Sequence, residues 1–268
     1  MSIAETQGFR DAEKYANYLK TASGRLRSDL AWENLRRPLP EPARTGRVLD
    51  LGGGTGCMSI RLAKLEFQPV LLDSSEEMLQ ITRMDADANG VATRISFCHA
   101  DAGQLQELFE AESFGLAICH NVLEFVANPG AVIQSVSRVL RKDGVFSILV
   151  RNRAGEVLKT AINSTEWELA KENLSAQTAM DSLYGKPVRL FDPVDIVRML
   201  AEANLCVTGQ YGVRVFSDYL DSPDPDSEAY RKIFDLEFTL GARPPFAAIA
   251  RYIQFIARHS SSTPVLDR

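Results

Sequence analysis

Val48-Leu-Asp50-Leu-Gly52-Gly53-Gly54-Thr-Gly56 reads as a buried strand that stops at a glycine-rich turn, with a helix from Met58 to Leu65 directly after it. Glycines at alternate positions, Gly52, Gly54 and Gly56, let a backbone approach a ligand closely because no side chain intervenes. Asp50, at the strand end, can accept hydrogen bonds from a polar ligand. The next strand, Pro69–Asp73, ends in an acid seventeen residues after Gly56. An acid so placed accepts both hydroxyls of a ribose. A dinucleotide fingerprint wants G-x-G-x-x-G, and counting from Gly52 and Gly54 the third position is Cys57.

The pattern is D-x-G-x-G-x-G, which resembles motif I of the class I S-adenosylmethionine (SAM) methyltransferases. Outward from it, strand and helix patterns alternate. The capping pattern Ser74-Ser-Glu-Glu77 opens a helix that runs to Ala88 and stops at Asn89-Gly90. Strand three is Ile95–His99, followed by Asp101; a helix covers 105–109; strand four is Phe114–Cys119. Pro129 opens a helix through Leu140, and Lys142-Asp-Gly144 ends it before strand five, Val145–Val150. Alternation at this pace predicts an α/β fold with a parallel sheet and helices on both faces. Ligands of such sheets bind beyond the carboxyl ends of the strands, which here carry Asp50, Asp73, Asp101 and His120.

Upstream, residues 8–37 read as two helices broken at Thr21-Ala-Ser-Gly24, and Pro38–Thr45 as a linker. Downstream, 151–191 reads as a polar insertion, helical in parts. A helix capped by Asp192 with Pro193 at its first position follows. Terminal strands are predicted at Cys206–Val215 and Tyr252–Arg258, with an acidic loop and a helix between them at 221–238. The resulting organisation is an N-terminal helical lid over 1–45, a Rossmann-like SAM-binding core over 46–150, a substrate-side insertion over 151–191, the C-terminal part of the core sheet over 192–259, and a disordered tail over 260–268.

Composition excludes little. The 268 residues are 45% apolar and 24% charged, ordinary for a globular chain with a sizeable core. There is no 18-residue apolar run, and the first residues lack the basic and apolar regions of a signal peptide, so a cytoplasmic protein without membrane attachment is expected. Cys57, Cys98, Cys119 and Cys206 form no C-x-x-C and read as reduced thiols; His99, His120 and His259 show no metal spacing, and no metal is expected. The net charge is −5, yet residues 10–47 carry nine Arg and Lys against five acids, a basic stripe able to meet phosphate or to serve as the solvated face of a helix.

More specific matches lie outside the glycine turn: Gly24-x-Leu26-Arg27, Leu30-x-Trp32-x-x-Leu35, His120-x-Val122-Leu-Glu-Phe-Val126, Asn152-x-x-Gly155, Gly212-Val-Arg-Val-Phe-x-Asp-Tyr-Leu220 and Ala250-Arg-Tyr-Ile253. With these the chain resembles the tRNA 5-carboxymethoxyuridine methyltransferase family over most of its length. The resemblance implies a mostly parallel seven-stranded sheet, SAM as methyl donor, and the carboxylate of a wobble-position carboxymethoxyuridine in the tRNA anticodon loop as acceptor. Carried over by position, the implied cofactor residues are Arg27, Gly52, Gly53, Asp73, Asp101, Ala102 and His120, beside Asp50, Gly54 and Gly56 from the turn. Arg27 resembles a clamp on the methionine carboxylate.

A carboxylate acceptor is already ionised at pH 7, so methyl transfer needs no general base. It needs a cation to hold the acceptor, and a bidentate arginine suits that geometry. Arg214 is the candidate, in a strand-like stretch that puts Val213 and Val215 on the opposite face; the alternative is a structural ion pair with Asp218 or Glu237. Tyr211 and Tyr219 could supply hydroxyls or stack on a base, His120 could bond cofactor or acceptor, and Arg151 and Arg153 follow strand five. Two other readings stay open. A methyltransferase of a small-molecule carboxylate or hydroxyl fits the few basic residues, Lys186 and Arg189, within 175–189. A SAM-binding module without catalysis fits the glycine turn equally well.

Overall fold

The computed structural model describes residues 3–39, 41–42, 46–164 and 166–260. The expected tail beyond Ser260 and Arg44 of the basic stripe lie outside them. The chain opens with α1 (Ile3–Lys20) and α2 (Ala22–Arg36). The break between them is narrower than the sequence suggests. Only Thr21 interrupts, its hydroxyl accepting the Gly24 N–H at 3.1 Å as the cap of α2. Gly24 therefore belongs to the first turn of α2, and a side chain there would collide with the Tyr18 carbonyl.

Then follow β1 (Arg47–Leu51), α3 (Cys57–Lys64), β2 (Gln68–Asp73), α4 (Glu76–Ala88), β3 (Ser96–His99), α5 (Leu105–Leu108), β4 (Phe114–His120), α6 (Pro129–Val139) and β5 (Leu140–Arg151). Ser75, one residue later than read from the sequence, caps α4 by accepting the Met78 N–H at 3.2 Å. β5 starts five residues earlier than expected, so Lys142-Asp-Gly144 lies inside a strand and does not precede one.

The insertion holds α7 (Arg153–Lys159), a wider helical turn over Thr160–Ser164, α8 (Trp167–Glu172) and a hairpin, β6 (Thr178–Met180) with β7 (Pro187–Arg189). That hairpin carried no alternating pattern long enough to be read. The chain ends with α9 (Pro193–Glu202), β8 (Leu205–Val213), α10 (Glu228–Gly241), α11 (Pro244–Ala247) and β9 (Tyr252–His259).

Among the described residues the large sheet has seven strands in the order β3-β2-β1-β4-β5-β9-β8. β1 runs parallel to both β2 and β4, and β2 parallel to β3. The order reverses between β1 and β4, which opens a crevice beyond their carboxyl ends. No described helix is long and apolar enough to cross a membrane.

The chain groups into two compact units. The second of them takes Pro38–Ile148, Val194–Gly209 and Phe255–Arg268. Its strands β1 and β4 are buried throughout, except for Arg47 at one end and His120 at the other, as their continuous apolar runs require. Leu71 packs with Ala63, Leu79, Ala86, Val91 and Ile95, which seats α3 and α4 on the sheet.

The first unit takes Met1–Arg37, Leu149–Pro193 and Gln210–Gln254. It is tied by buried polar groups as much as by apolar ones. Asn34 donates to Gln254 Oε1 at 3.1 Å, and Gln254 donates to the Ala31 carbonyl at 3.0 Å. Asn152 donates to the carbonyls of Ala248 and Ala250 at 2.9 and 2.8 Å. Glu237, fully buried, accepts the backbone N–H groups of Val215, Phe216 and Ser217 at 2.6, 3.0 and 2.8 Å. Removing an acceptor strands each donor at about 1–3 kcal/mol. Glu237→Ala should therefore lower the unfolding free energy by at least ~3 kcal/mol, measured by urea denaturation; a loss under ~1 kcal/mol would show that water replaces the carboxylate.

Candidate functional site

In the second unit the glycine turn is built by backbone geometry. Gly52, Gly54 and Gly56 have φ of 62°, 55° and 73°, the left-handed region where a Cβ is strained. Space forbids side chains as well. A Cβ on Gly52 would run into Val122, one on Gly56 into Thr82, and one on Gly53 would lie 2.6 Å from Leu71 and 2.9 Å from Asp50 Oδ2. Gly52 N–H bonds the Leu72 carbonyl at 2.7 Å, and the Thr82 hydroxyl donates to the Gly54 carbonyl at 2.7 Å.

Asp73 ends β2 and accepts two backbone N–H groups, Gly54 at 2.8 Å and Ser75 at 2.9 Å. Each of its oxygens keeps a lone pair for a hydroxyl donor. Burial raises its carboxyl, and the Ser75 and Gly54 N–H groups oppose that. Asp50, buried in β1, accepts the Ser59 hydroxyl at 2.6 Å; burial raises its carboxyl to about 6, with Ser59 opposing.

Asp101 caps the turn Ala102–Gln104, accepting the Gly103 N–H at 2.8 Å, while Ala102 is buried beneath it. His120 ends β4, its Nε2 2.8 Å from the Ser147 hydroxyl. Asp50, the glycines, Asp73, Asp101, Ala102 and His120 thus all belong to the carboxyl-terminal ends of β1–β4 or the turns that follow. Thr82, Ser59 and Ser147, which brace them, were not singled out from the sequence; each is a hydroxyl within an ordinary helix or strand pattern.

The first unit holds the remaining candidates, Arg27, Arg214 and Tyr211. Arg214 is not part of a strand. β8 stops at Val213, and Arg214 has φ of 62°, so it turns away instead of alternating with its valines. The three N–H bonds to Glu237 hold this turn, so Glu237 binds backbone and not the guanidinium. The guanidinium pairs with Asp218 and donates to Tyr18 Oη at 2.9 Å. Its Nε is buried with no hydrogen-bond partner among the described residues.

Arg27, also buried, donates to Tyr15 Oη at 2.9 Å and lies 5.0 and 5.6 Å from the ring centres of Tyr18 and Tyr252. Arg151 pairs with Asp181 at 2.6 Å and faces Glu156 at 3.9 Å; Arg251 pairs with Glu156 and faces Asp218 at 3.8 Å. Arg153 instead pairs with Asp192 at 3.0 Å. The unit therefore gathers four buried guanidiniums, those of Arg27, Arg151, Arg214 and Arg251, around the Tyr252 ring, against three carboxylates. Tyr211 stands apart, its ring 5.9 Å from Arg37.

The sequence reading missed Tyr252 and Arg251, although Ala250-Arg-Tyr-Ile253 had been marked; a charged residue inside a buried strand pattern was the available signal. The basic stripe is largely engaged. Arg25 pairs with Asp226 at 2.7 Å, Arg36 with Glu33 at 2.9 Å, Arg37 stacks on Phe238 at 4.2 Å, and Lys14 and Lys20 stay exposed. Among the described residues no group of three His, Cys, Asp or Glu side chains could hold a metal ion.

A methyltransferase-domain family model matches residues 43–204. The chain is 32% identical over 255 residues to the tRNA 5-carboxymethoxyuridine methyltransferase of Escherichia coli K12, covering 94% of this chain and 95% of the relative. It is 31% identical to the ubiquinone biosynthesis O-methyltransferase of Actinobacillus pleuropneumoniae serotype 5b over 46% of this chain and 53% of that protein. Among solved structures, a SAM-dependent methyltransferase from Thermotoga maritima superposes with a TM-score of 0.62 at 16% identity, covering 94% and 98% of the two chains. One from Mesorhizobium loti gives 0.56 at 19%, covering 86% and 98%. These structural likenesses establish the Rossmann-like methyltransferase fold.

Asp50 gives a pH signature. Its raised carboxyl holds a proton more tightly in the folded chain than in the unfolded one. Between about pH 4 and 6 the folded state therefore binds more protons, and this residue's contribution to stability falls as pH rises through that window. Asp50→Asn keeps an acceptor for Ser59 and removes the slope. Relative to wild type, the variant should gain up to ~2 kcal/mol from pH 4 to 7 in urea unfolding; a pH-independent difference would refute the assignment.

Proposed function

We propose that this chain, which belongs to the tRNA 5-carboxymethoxyuridine methyltransferase family of SAM-dependent methyltransferases, esterifies the carboxylate of 5-carboxymethoxyuridine at the wobble position of tRNA. The donor is SAM. On this reading Asp73 accepts the ribose hydroxyls, Gly52–Gly56 let the backbone approach the cofactor, and Asp101, Ala102 and His120 border it. The carboxylate groups of the reaction go to the arginine cluster of the first unit, which includes Arg27 and Arg214.

One observation carries the acceptor class: four buried guanidiniums face only three carboxylates, and among the described residues both Arg214 Nε and Asp218 Oδ2 are buried without a hydrogen-bond partner, so donors and acceptors of the cluster are not matched to each other. Such a cluster is short of one anion. A neutral hydroxyl acceptor would leave the deficit and would also need a base, whereas a carboxylate supplies the charge and arrives ionised. Support for tRNA as its carrier comes from the relative from Escherichia coli, whose match runs through both terminal segments that build the cluster.

The reaction is an in-line displacement. A carboxylate oxygen attacks the methyl carbon, the carbon–sulfur bond breaks, and S-adenosylhomocysteine leaves with the electron pair. Positioning the oxygen about 3 Å from the methyl group is worth roughly 7–11 kcal/mol, so orientation supplies most of what such an enzyme needs. An arginine suits the task because its fork fixes the plane of the carboxylate.

Mass spectrometry of wobble nucleosides from a strain lacking the gene should show unmethylated 5-carboxymethoxyuridine; an unchanged nucleoside pattern would sink the tRNA reading. Arg214→Ala should abolish transfer to tRNA yet keep SAM affinity by calorimetry within about twofold. Asp73→Ala should do the reverse, weakening SAM binding by ~1–3 kcal/mol. Equal loss of SAM binding in both variants would show that Arg214 is misassigned.

A further inference from the structure

Tyr252 stands at the start of β9, buried, with the guanidinium carbons of Arg27, Arg214 and Arg251 at 5.6, 5.9 and 5.9 Å from its ring centre. The charge of Arg27 is the largest favourable influence on the phenolate. The placement is rigid, because the Arg251 N–H bonds the Arg214 carbonyl at 2.8 Å and ties the two arginine backbones together beside the ring.

Charged and titratable groups of several elements surround the cluster, among them the buried Glu237 of α10, whose charge acts on Tyr219. From α1 and α2 come Tyr15, Tyr18 and Arg27. From the end of β5 and from α7 come Arg151, Glu156 and Lys159. The hairpin side gives Asp181 and Tyr184, and the segment after β8 gives Arg214, Asp218 and Tyr219. Lys159 is itself pushed down, first by burial and then by the charge of Arg251, as expected where positive charge is in excess. The three carboxylates are already shared among the arginines, so the phenol is the group left to answer that excess.

We propose that Tyr252 is a proton-linked positioning residue: as the phenolate it supplies the missing negative charge of the empty arginine cluster, and it takes up a proton when a carboxylate enters. This rests on the reading of the cluster as the carboxylate site. The exchange balances. One anion and one proton enter together, the phenolate oxygen gains the proton from solvent, and the cluster's net charge is unchanged. The guanidinium donors turn to the incoming carboxylate, and the neutral phenol becomes a donor to it. Burial alone would raise the phenol, but Arg27, then Arg151, Arg214 and Arg251, pull it down to about 7. The sign of the linkage follows. Below neutrality carboxylate binding is flat with pH; above it each bound carboxylate must bring a proton, and affinity falls by up to tenfold per pH unit.

The first test needs no RNA. Tyrosinate absorbance at 295 nm is followed from pH 5.5 to 9 in the full-length chain and in Tyr252→Phe, with and without saturating acetate. Wild type should show one phenolate near neutrality that the variant lacks, and acetate should move its midpoint upward. Identical titrations of the two proteins, or a midpoint blind to acetate, would overturn the proposal. In the second test KM for a 5-carboxymethoxyuridine-containing anticodon hairpin should rise up to tenfold per pH unit above neutrality in wild type and stay flat in Tyr252→Phe, with kcat moving little; parallel slopes would overturn it. Thermal melts establish that the variant is folded, and the acetate response of wild type decides the matter if it is not. An acetate-sensitive phenolate in a protein that fails to methylate the hairpin would support Tyr252 while refuting the tRNA acceptor.

Discussion

Burying four guanidinium groups in one unit is the constraint from which the rest of that unit follows. An ion taken from water costs several kcal/mol unless it is paired and its remaining donors are satisfied. One of the paired acids is itself fixed by backbone. Asp181 accepts the N–H groups of Leu183 and Tyr184, both at 2.9 Å, which closes the turn of the β6–β7 hairpin. Burial pushes its carboxyl up, but the Tyr184 N–H and Arg151 outweigh this and hold it below the usual range. Asp218 follows a turn that Glu237 clamps from α10. The insertion and the post-β8 segment are thus shaped by the need to bring carboxylates to arginines, more than by any apolar pattern of their own.

The other unit answers to a different constraint, the close approach of backbone. Gly52 and Gly56 are selected twice, once by φ and once by the side chains of Val122 and Thr82 that fill the space where a Cβ would go, while Leu71 crowds Gly53. Gly54 and Ser75 hold Asp73 through N–H donors, and the Ser59 hydroxyl holds Asp50. A turn so enclosed has few alternative conformations, so its polar groups stand preorganised for a ligand.

How much of this could be read in the sequence follows from the range of the forces involved. Strands β1, β2 and β4 were legible because burial on both faces leaves continuous apolar runs, and the glycine turn because its spacing is local. The fold class came with them, whereas the order of the strands is set by pairings between distant segments. Arg214 was singled out as a candidate, but its conformation was not legible. Val-Arg-Val looks like alternation, and only the remote carboxylate of Glu237 converts it into a left-handed turn. Strand β5 was cut short because Lys142-Asp-Gly144 is locally a turn signal that neighbouring strands override. The cluster around Tyr252 joins residues from position 15 to position 252, and no window of sequence contains it.

That wide spacing bears on how the chain is made. The buried partners of α2 include Gln254 and Tyr230, whose hydroxyl bonds Asp29 at 2.8 Å. At a synthesis rate of about 5–20 residues per second, α2 leaves the ribosome roughly 10–40 s before Gln254 does. Through that interval Leu26, Leu30 and Leu35, all buried in the finished fold, have no completed unit to enter. Contacts of such high sequence separation also slow folding once the chain is free. The first unit can therefore close only after nearly the whole of this sequence has been made, with the apolar faces of α2 waiting on β9.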